Sequence, residues 1–356
     1  MPTTRLLIVD DSAVIRRDLT AALAREPGLA VVGSASSGRV ALMKIPLLQP
    51  DVVLLDIELP DLDALETLAT IRQEWPKLPI IILNVPTIPG AAATVDALTL
   101  GASGYAMKPE AAVPSPDALA SLAAEVVSRI EQCCPGFSRD QPAVRKPPRG
   151  LAAAAFKRID IVVIGVSTGG PQALMDVLPV FTVDFPVPIL IVQHMPPVFT
   201  KLLAERLAEK SRIPVAEGML YQTLAPGHAW IAPGDFHMSV ERDGEEVRIV
   251  TDRKAPENSC RPAADVLFRS VAQVYGAHVL AVVMTGMGQD GFRGCEQVRA
   301  NGGQVIVQDE ASSVVWGMPG IVSKAGLADQ IVPLKGLGTE IVDRVWRHRY
   351  SARAAV

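Results

Sequence analysis

The sequence predicts an α/β protein made of two doubly wound parallel-sheet domains, and three observations support this. The chain has 356 residues, which is long for a single domain. In both halves, short apolar strands alternate with segments of helical period, as in βαβ units around a parallel sheet. Between the halves, residues 131–157 contain prolines, glycines and mixed charges that interrupt every period. We therefore expect domains at residues 1–130 and 158–350, with residues 131–157 as a linker.

The composition argues against several classes of protein. A formal net charge of −4 gives no sign of the basic surplus that nucleic-acid binders carry. No apolar run is long enough to span a membrane, and the N-terminus turns acidic too soon for a secretory signal. The four cysteines show no C-x-x-C pair and no metal-ligand spacing, so we expect free thiols. These observations predict a cytoplasmic protein that neither binds nucleic acid nor inserts into a membrane.

The first half contains five candidate strands separated by helical segments. The strands are expected at residues 5–10, 30–36, 51–56, 79–84 and 104–108. Helices are expected between them, for example at 13–25 and 63–74, and the segment DALASLAAEVVSRI closes the domain. Ligands of such sheets bind beyond the carboxyl ends of the strands.

Charged side chains stand at three of these carboxyl ends. Asp10 and Asp11 end the first strand, Asp56 ends the third and Lys108 ends the fifth. A single Asp after a strand is usually only a turn residue, but this convergence indicates a site. Three carboxylates at one edge repel one another unless a cation is present, and hard oxygen ligands suit Mg²⁺.

This half resembles the receiver domain of response regulators, a flavodoxin-like fold, over roughly residues 4–130. The resemblance implies that Asp56 accepts a phosphoryl group from a sensor histidine kinase. It also implies that Asp10, Asp11 and Asp56 hold Mg²⁺, with the backbone of Glu58 as a further ligand.

Further switch residues are implied by the same resemblance. Lys108 corresponds to the lysine that contacts the phosphoryl group, and Tyr105 to the aromatic switch position. Two positions depart from the family pattern: Asn84 stands where a Ser or Thr hydroxyl is usual, and Ala64 where Gly is usual. An Asn amide still donates hydrogen bonds, but its reach differs from that of a hydroxyl. Phosphoryl acceptance is expected, whereas its coupling to a change of shape is open.

The second half repeats the alternation of strands and helices. Parallel strands are expected at residues 160–166, 188–194, 277–285 and 303–308. The region 214–262 is rich in turn residues, and its short runs HAWIAP, FHMSV and EVRIV predict an antiparallel excursion.

The stretch GVSTGG places Ser167 between a strand and a helix that opens at Pro171. A phosphate loop would need a lysine after its last glycine, and a dinucleotide fingerprint needs a different glycine spacing. The segment Gly165–Gly169 instead matches G-x-S-x-G, the nucleophile elbow, in the required strand-to-helix context. The helix start offers N–H groups and a positive dipole end to an oxyanion. On this match alone, a purely structural turn remains an equal alternative.

A serine nucleophile needs a base and an orienting acid. Of the five histidines, only His194 ends a predicted parallel strand; the others are His228, His237, His278 and His348. The loop TGMGQDG presents Asp290 at the same edge of the sheet. The chain order Ser, His, Asp differs from that of α/β-hydrolases. A histidine base with an ordinary pKa predicts a rate that rises through about pH 6 to 7.

This half resembles the catalytic domain of bacterial chemotaxis protein-glutamate methylesterases. The matching stretches are GVSTGGPQAL, VQHMPP, IAPGDFH, RPAADVLF, VVMTGMGQDG and DEASSVVWGMPG. The resemblance implies a Ser167–His194–Asp290 triad, with the backbone N–H groups of Thr168 and Met287 as oxyanion donors. It implies no metal or other cofactor for hydrolysis.

The resemblance also implies the biological reaction. Members of this family hydrolyse γ-glutamyl methyl esters on the cytoplasmic helices of chemoreceptors and often deamidate glutamines there, and their receiver covers the active site until it is phosphorylated. Two alternatives stay open on the sequence. One is a phosphorylation-gated binding protein with an inactive esterase domain, and the other is a hydrolase of a different protein methyl ester.

Overall fold

The computed structural model describes residues 3–59, 63–85, 87–109, 115–134 and 157–353. The chain divides into two compact units, residues 1–142 and 143–356. Of the expected linker, residues 131–133 belong to the last helix of the first unit, and residues 135–156 lie outside the described residues. Within the described ranges, no helix has both the length and the apolar character that crossing a membrane requires.

Over its described residues, the first unit is a five-stranded parallel sheet with five helices, as the sequence predicts. The strand order is β2-β1-β3-β4-β5. The strands are β1 Thr4–Val9, β2 Leu29–Ala35, β3 Val52–Asp56, β4 Ile80–Asn84 and β5 Gly104–Met107. The helices are α1 Ala13–Leu23, α2 Gly38–Leu48, α3 Ala64–Glu74, α4 Ile88–Thr99 and α5 Pro116–Cys133. Strands β3 and β4 are buried along their whole length, which explains their unbroken apolar runs.

All five helices of this unit begin with a capping side chain. Each cap accepts a hydrogen bond from an N–H of its own first turn; the caps are Ser12, Ser37, Asp63, Thr87 and Ser115. Such side chains satisfy N–H groups that have no partner inside the helix. The helix starts of the first unit are therefore encoded locally in the sequence.

The second unit is built on a seven-stranded parallel sheet with the order β14-β13-β12-β6-β7-β9-β8. Its strands are β6 Ile161–Val166, β7 Ile189–Gln193, β8 Val215–Glu217, β9 Ala229–Ile231, β12 Val279–Val283, β13 Gln304–Gln308 and β14 Gln330–Val332. Its helices are α6 Gly170–Val177, α7 Phe199–Lys210, α8 Ala264–Tyr275, α9 Phe292–Ala300, α10 Met318–Lys324 and α11 Leu334–Arg353. A separate antiparallel pair is formed by β10 His237–Asp243 and β11 Glu246–Asp252.

The antiparallel prediction is confirmed for FHMSV and EVRIV, which form β10 and β11, but it is wrong for HAWIAP. That run forms β9, which pairs in parallel with both β7 and β8. Turn residues flank it on both sides, so it has the sequence pattern of a hairpin strand. Strands β8 and β14 were not expected because three residues are too few to show a period.

Helix caps in the second unit differ from those in the first. Helices α6 to α10 begin after Gly169, Val198, Ala263, Gly291 and Gly317, and none of these has a side-chain capping hydrogen bond. The first-turn N–H groups of these helices are therefore free to meet groups from elsewhere in the chain.

Helix α8 packs closely against both β6 and α9 because glycines face it. A Cβ added to Gly165 would lie 2.9 Å from the Cβ of Ala264, and one added to Gly294 would lie 2.4 Å from the Cβ of Phe268. Phe268 is fully buried. The close packing of α8 and α9 is thus only compatible with glycine at position 294.

We predict that Gly294→Ala destabilises the second unit by about 1–3 kcal/mol, because the added methyl group overpacks the contact with Phe268. Gly336→Ala in α11 is the matched control, since its Cβ would meet only Val332 Cγ1 at 3.8 Å. Alanine is the better helix former, so the control should be neutral or slightly stabilising. Chemical denaturation of both full-length variants measures the difference, and equal stabilities would contradict the packing argument.

Candidate functional sites

Ser167 and His194 lie side by side at the carboxyl edge of the second sheet. Strands β6 and β7 pair in parallel up to Val166 and Gln193, and each predicted site residue follows directly. The side-chain amide of Gln193 donates to the Ser167 carbonyl oxygen at 3.0 Å. The end of β12 lies on the other side, since the Ser167 N–H donates to the Thr285 carbonyl at 3.0 Å.

The turn around Ser167 needs glycines for two different reasons. Gly169 has φ +77°, in the left-handed region that favours glycine. Gly170 has no room for a side chain, because an added Cβ would lie 2.0 Å from Gln193 Oε1. Gly286 passes close to Ser167 as well, since a Cβ added to Gly286 would lie 2.8 Å from the Cβ of Ser167. The serine is therefore held in a tight strand-to-helix turn, the geometry that the G-x-S-x-G pattern predicts.

His194 and Asp290 are hydrogen-bonded, with 2.7 Å between Nε2 and Oδ2. The other ring nitrogen, Nδ1, lies 3.6 Å from the sulfur of Cys260. Among the described residues, no hydrogen bond joins the Ser167 hydroxyl to His194. In the serine-protease arrangement the acid bonds Nδ1 and the serine bonds Nε2, so the two ring nitrogens are interchanged here. Nδ1 is therefore the ring nitrogen that Asp290 does not engage.

Asp290 is buried and accepts hydrogen bonds from five N–H groups. Oδ2 accepts from His194 and from the Ala264 amide at 2.6 Å. Oδ1 accepts at 3.0 Å from each of three donors, the Asp265 amide, the Gly291 amide and the Asn258 side chain. Two of the donors are first-turn amides of α8, so Asp290 caps the helix that Ala263 leaves uncapped.

The cap is reciprocal between α8 and α9. Asp265, in the first turn of α8, accepts a hydrogen bond from the Gly294 amide in the first turn of α9, at 2.6 Å. Asp265 is 1% exposed and Asp290 is 2% exposed. Asp290, just before α9, thus caps α8, and Asp265, in the first turn of α8, caps α9. These contacts fix Asp290 in place.

The electrostatic surroundings shift both members of the His–Asp pair. Burial by itself would raise the pKa of Asp290, but the hydrogen bonds from His194 and the backbone amides hold it below its ordinary value. Burial by itself would lower the pKa of His194, but its contacts with Asp290 and Cys260 raise it to about 9. A His194 pKa of about 9 places the rise in rate above the pH 6 to 7 that an unperturbed imidazole predicts.

Three residues at this site were not predicted from the sequence. Asn258 donates to both Asp265 and Asp290, and Cys260 contacts His194. Burial raises the pKa of Asp265 to about 6, and repulsion from Asp290 contributes to the rise. Cys260 is a free thiol, as expected of all four cysteines. Only Asp265 had a sequence signal, its place in the stretch RPAADVLF.

The two predicted oxyanion donors belong to residues close to Ser167 in different segments, the β6–α6 turn and the loop after β12. Thr168 follows the serine directly, and its carbonyl accepts the Thr285 hydroxyl at 2.9 Å. Met287 follows Gly286, and its side chain is 45% exposed. Among the described backbone groups, none accepts the Met287 N–H. That amide remains available to a ligand beside Ser167.

The acidic residues of the first unit converge as predicted. One carboxylate oxygen from each of Asp10, Asp11 and Asp56 lies within 4.8 Å of the others. Asp10 and Asp56 are fully buried. The Lys108 ammonium lies 2.7 Å from Asp56 Oδ2 and 3.3 Å from Asp10 Oδ2. Lys108 contacts two of the three carboxylates, and the Arg16 guanidinium donates to the backbone carbonyls of Asp10 and Asp11 and not to a carboxylate. The cluster therefore keeps an excess of negative charge that a divalent cation would neutralise.

The pKa shifts at this cluster reflect that excess. Burial raises the pKa of Asp56 to about 6; Lys108 opposes the rise and Asp10 adds to it. Burial also raises the pKa of Asp10, again against the effect of Lys108. For Lys108, burial by itself would lower the pKa, but the two carboxylates raise it. The ammonium therefore stays charged beside Asp56.

The remaining predicted switch residues surround this cluster. The Glu58 N–H donates to Asp56 Oδ1 at 3.3 Å. Asn84 is fully buried, and neither its amide nitrogen nor its amide oxygen has a hydrogen-bond partner among the described residues. A Cβ on Gly90 would lie 2.3 Å from that oxygen. Tyr105 is half-buried, with the Arg129 guanidinium 5.4 Å from its ring centroid, and burial raises its pKa to about 12.

Comparison with known proteins identifies both units. The family described as CheB methylesterase matches residues 162–341, and the response regulator receiver domain family matches residues 6–115. A protein-glutamate methylesterase/protein-glutamine glutaminase of Trichodesmium erythraeum is 49% identical, over 97% of this chain and 100% of that protein. A relative of the same description from Nocardioides sp. is 42% identical, over 99% of this chain and 98% of its own length.

A solved structure shows the same fold for the second unit. The catalytic domain of the CheB methylesterase of Thermotoga maritima covers 52% of this chain and 99% of its own length, with a TM-score of 0.51 and 40% identity. Its parallel-sheet α/β fold is thus shared by this chain.

We predict that Asp290→Asn lowers the pKa of His194 from about 9 towards the ordinary value of about 6.5, because the anion that stabilises the imidazolium is removed. Below the pKa the ring is charged, so at pH 8 the wild-type ring should be mostly protonated and the variant ring mostly neutral. NMR titration of ¹⁵N-labelled imidazole measures this. Asp184→Asn, at an exposed position of the same unit, is the control. An unchanged titration in Asp290→Asn would contradict the assignment.

Proposed function

Because the chain belongs to the CheB methylesterase family, we propose that it is a phosphorylation-regulated serine hydrolase in chemotaxis-type adaptation. Its reaction is demethylation of γ-glutamyl methyl esters on chemoreceptors, together with deamidation of glutamines there. The observation that carries this proposal is the hydrogen-bonded His194–Asp290 pair at the sheet edge where Ser167 stands in a tight elbow. Capping of α8 accounts for the Asp290 carboxylate in either case, but a binding protein with an inactive esterase domain would not need a histidine bonded to it at the edge where Ser167 stands.

The triad acts through the ring nitrogen that Asp290 leaves free. Asp290 holds the proton on Nε2, so the neutral ring accepts the Ser167 proton at Nδ1. For this step Nδ1 exchanges its contact with Cys260 for one with the serine hydroxyl. The alkoxide then attacks the ester carbonyl, and the imidazolium that forms is stabilised by the Asp290 anion. Hydrolysis by this route needs no metal.

The developing oxyanion is stabilised by backbone groups. The Thr168 and Met287 amides flank Ser167, and such fixed donors stabilise charge in the transition state. Collapse of the tetrahedral intermediate expels methanol, to which His194 returns the proton. Water then attacks the acyl-enzyme by the same route and leaves a glutamate side chain. A glutamine side chain reacts likewise, with ammonia as the leaving group.

The receiver unit supplies the regulation. The three clustered aspartates fit Mg²⁺, and Asp10, Asp11 and Asp56 would hold it with the backbone of Glu58. Bound there, the ion would neutralise charge during phosphoryl transfer. Asp56 accepts the phosphoryl group from a sensor histidine kinase, and Lys108, already 2.7 Å from Asp56, contacts the phosphoryl oxygens.

Asn84 and Tyr105 complete the proposed switch. Among the described residues the buried amide of Asn84 has no hydrogen-bond partner, which supports a hydrogen bond from it to the phosphoryl oxygen once Asp56 is modified. Tyr105 is the aromatic residue that would respond. We place the protein in the cytoplasm, where its free thiols persist and where receptor helices and kinases are accessible.

We predict that Ser167→Ala and His194→Ala reduce methanol release from methylated receptor to background. Asp290→Asn should retain a measurable remnant, because losing the acid typically costs about 10⁴-fold in turnover while the oxyanion donors stay in place. A fluorophosphonate probe should label the wild type and not Ser167→Ala. Full activity in Ser167→Ala would contradict the assignment of Ser167 as the nucleophile. Activity of the wild type on another methyl ester, and none on the receptor, would contradict the proposed substrate.

We predict that acetyl phosphate with Mg²⁺ modifies one residue of the wild type, Asp56, because its buried carboxylate lies beside Lys108 in the acidic cluster. Asp56→Ala should block the modification, and removal of Mg²⁺ by a chelator should slow it. Intact-mass measurement detects the added phosphoryl group. Its appearance on Asp56→Ala would show that another residue is the acceptor.

A further inference from the structure

The proposed mechanism leaves one polar contact of Asp290 without a role. The side-chain amide nitrogen of Asn258 donates to Asp290 Oδ1 at 3.0 Å and to Asp265 Oδ2 at 2.9 Å. Its two hydrogens are therefore shared between two buried carboxylates. His194 bonds Asp290 alone, and among the described residues no cationic side chain donates to both carboxylates, so the amide is the side chain that bridges these two like charges.

The loop that carries Asn258 is fixed independently of this amide. Asn258 has φ +52° and Ser259 has φ +62°, and both are in the left-handed region, which Asn tolerates well. The loop is closed by backbone hydrogen bonds of 3.0 and 2.9 Å between Glu257 and Cys260. The Glu257 carboxylate forms two 2.6 Å hydrogen bonds with the Arg269 guanidinium of α8. The backbone can thus keep its shape when the side chain changes.

A neutral double donor is the chemistry this position requires. A carboxylate here would add a third negative charge to Asp265 and Asp290, and an ammonium or guanidinium would compete with His194 for the Asp290 anion. An apolar residue would leave Oδ1 with only its two backbone donors. The charged groups that face the position are Asp265, Asp290, and the ion pair of Glu257 with Arg269.

We propose that Asn258 is a positioning residue for the hydrolysis. By bridging the two carboxylates it holds Asp290 with Oδ2 directed at His194 Nε2, and so it sets the orientation of the base. The inference rests on the triad proposed above. Asn258 acts through Asp290 and not on the substrate, so it should affect kcat much more than KM.

The first test is Asn258→Gly in the full-length protein. Glycine accepts the positive φ, so only the amide is removed. The kcat for methanol release from methylated receptor should fall about 10- to 100-fold, the range for losing a hydrogen bond to a charged group, with KM nearly unchanged. Ser259→Gly is the matched control, since it loosens the same loop without touching either carboxylate, and it should keep wild-type kcat.

The second test is Asn258→Asp, which keeps the size of the side chain. When protonated, the new carboxyl group can donate one hydrogen bond to Asp290, and when ionised it repels both carboxylates. The rate of the wild type should rise with pH as His194 loses its proton, whereas the rate of Asn258→Asp should pass through a maximum at lower pH and then fall. A merely structural role would lower stability and leave the shape of the pH profile unchanged.

The outcomes separate this inference from the proposed function. If Ser167→Ala is inactive but Asn258→Gly matches Ser259→Gly in kcat, Asn258 is not a positioning residue. A positioning role is likewise contradicted if the rate of Asn258→Asp depends on pH in the same way as the rate of the wild type. If Ser167→Ala is fully active, the triad itself is wrong, whatever the Asn258 variants show. A fall in kcat together with the altered profile supports the positioning role.

Discussion

The catalytic unit depends on one buried anion, the carboxylate of Asp290. An isolated charge in a protein interior is costly unless it is fully hydrogen-bonded. Here five N–H groups meet it, from the histidine, from two helix starts and from the Asn258 loop. These donors come from segments far apart in the sequence. The group proposed to orient the base is therefore also the group that joins α8, α9 and the end of β7.

The two units place carboxylates at the same edge of their sheets but treat them oppositely. The donors around Asp290 lower its pKa, so it stays an anion while His194 gains and loses protons. Asp56 lies in a cluster of three carboxylates of which Lys108 contacts two, and burial raises the pKa of Asp56 to about 6. A buried anion that is fully hydrogen-bonded suits an orienting group, whereas an under-compensated one suits a site that gains a cation and a phosphoryl group. The difference lies in the number of donors and not in the residue type.

Much of the fold and of both sites was predictable from the sequence, because strand ends in parallel sheets meet at one edge. From this rule we predicted that His194 and Asp290 lie together although they are 96 positions apart in the sequence. The strand assignment failed for β9, whose short run has the pattern of a hairpin strand, and the raised pKa of His194 was not anticipated. That pKa depends on Cys260, on Asp290 and on the burial of the ring, none of which leaves a periodic signal. Asn258 was missed for the same reason, since its role depends on a loop conformation.

The dual role of Asp290 also determines how an inert form of this protein is best made. A substitution at Asp290 removes the cap of α8 and disturbs its packing on α9, so the variant differs from the wild type in structure as well as in chemistry. The Ser167 hydroxyl makes no hydrogen bond with the described residues, and its loss leaves the helix caps intact. For capturing a bound receptor segment without turnover, the serine is therefore the position to change, because the surface offered to the receptor stays that of the native enzyme.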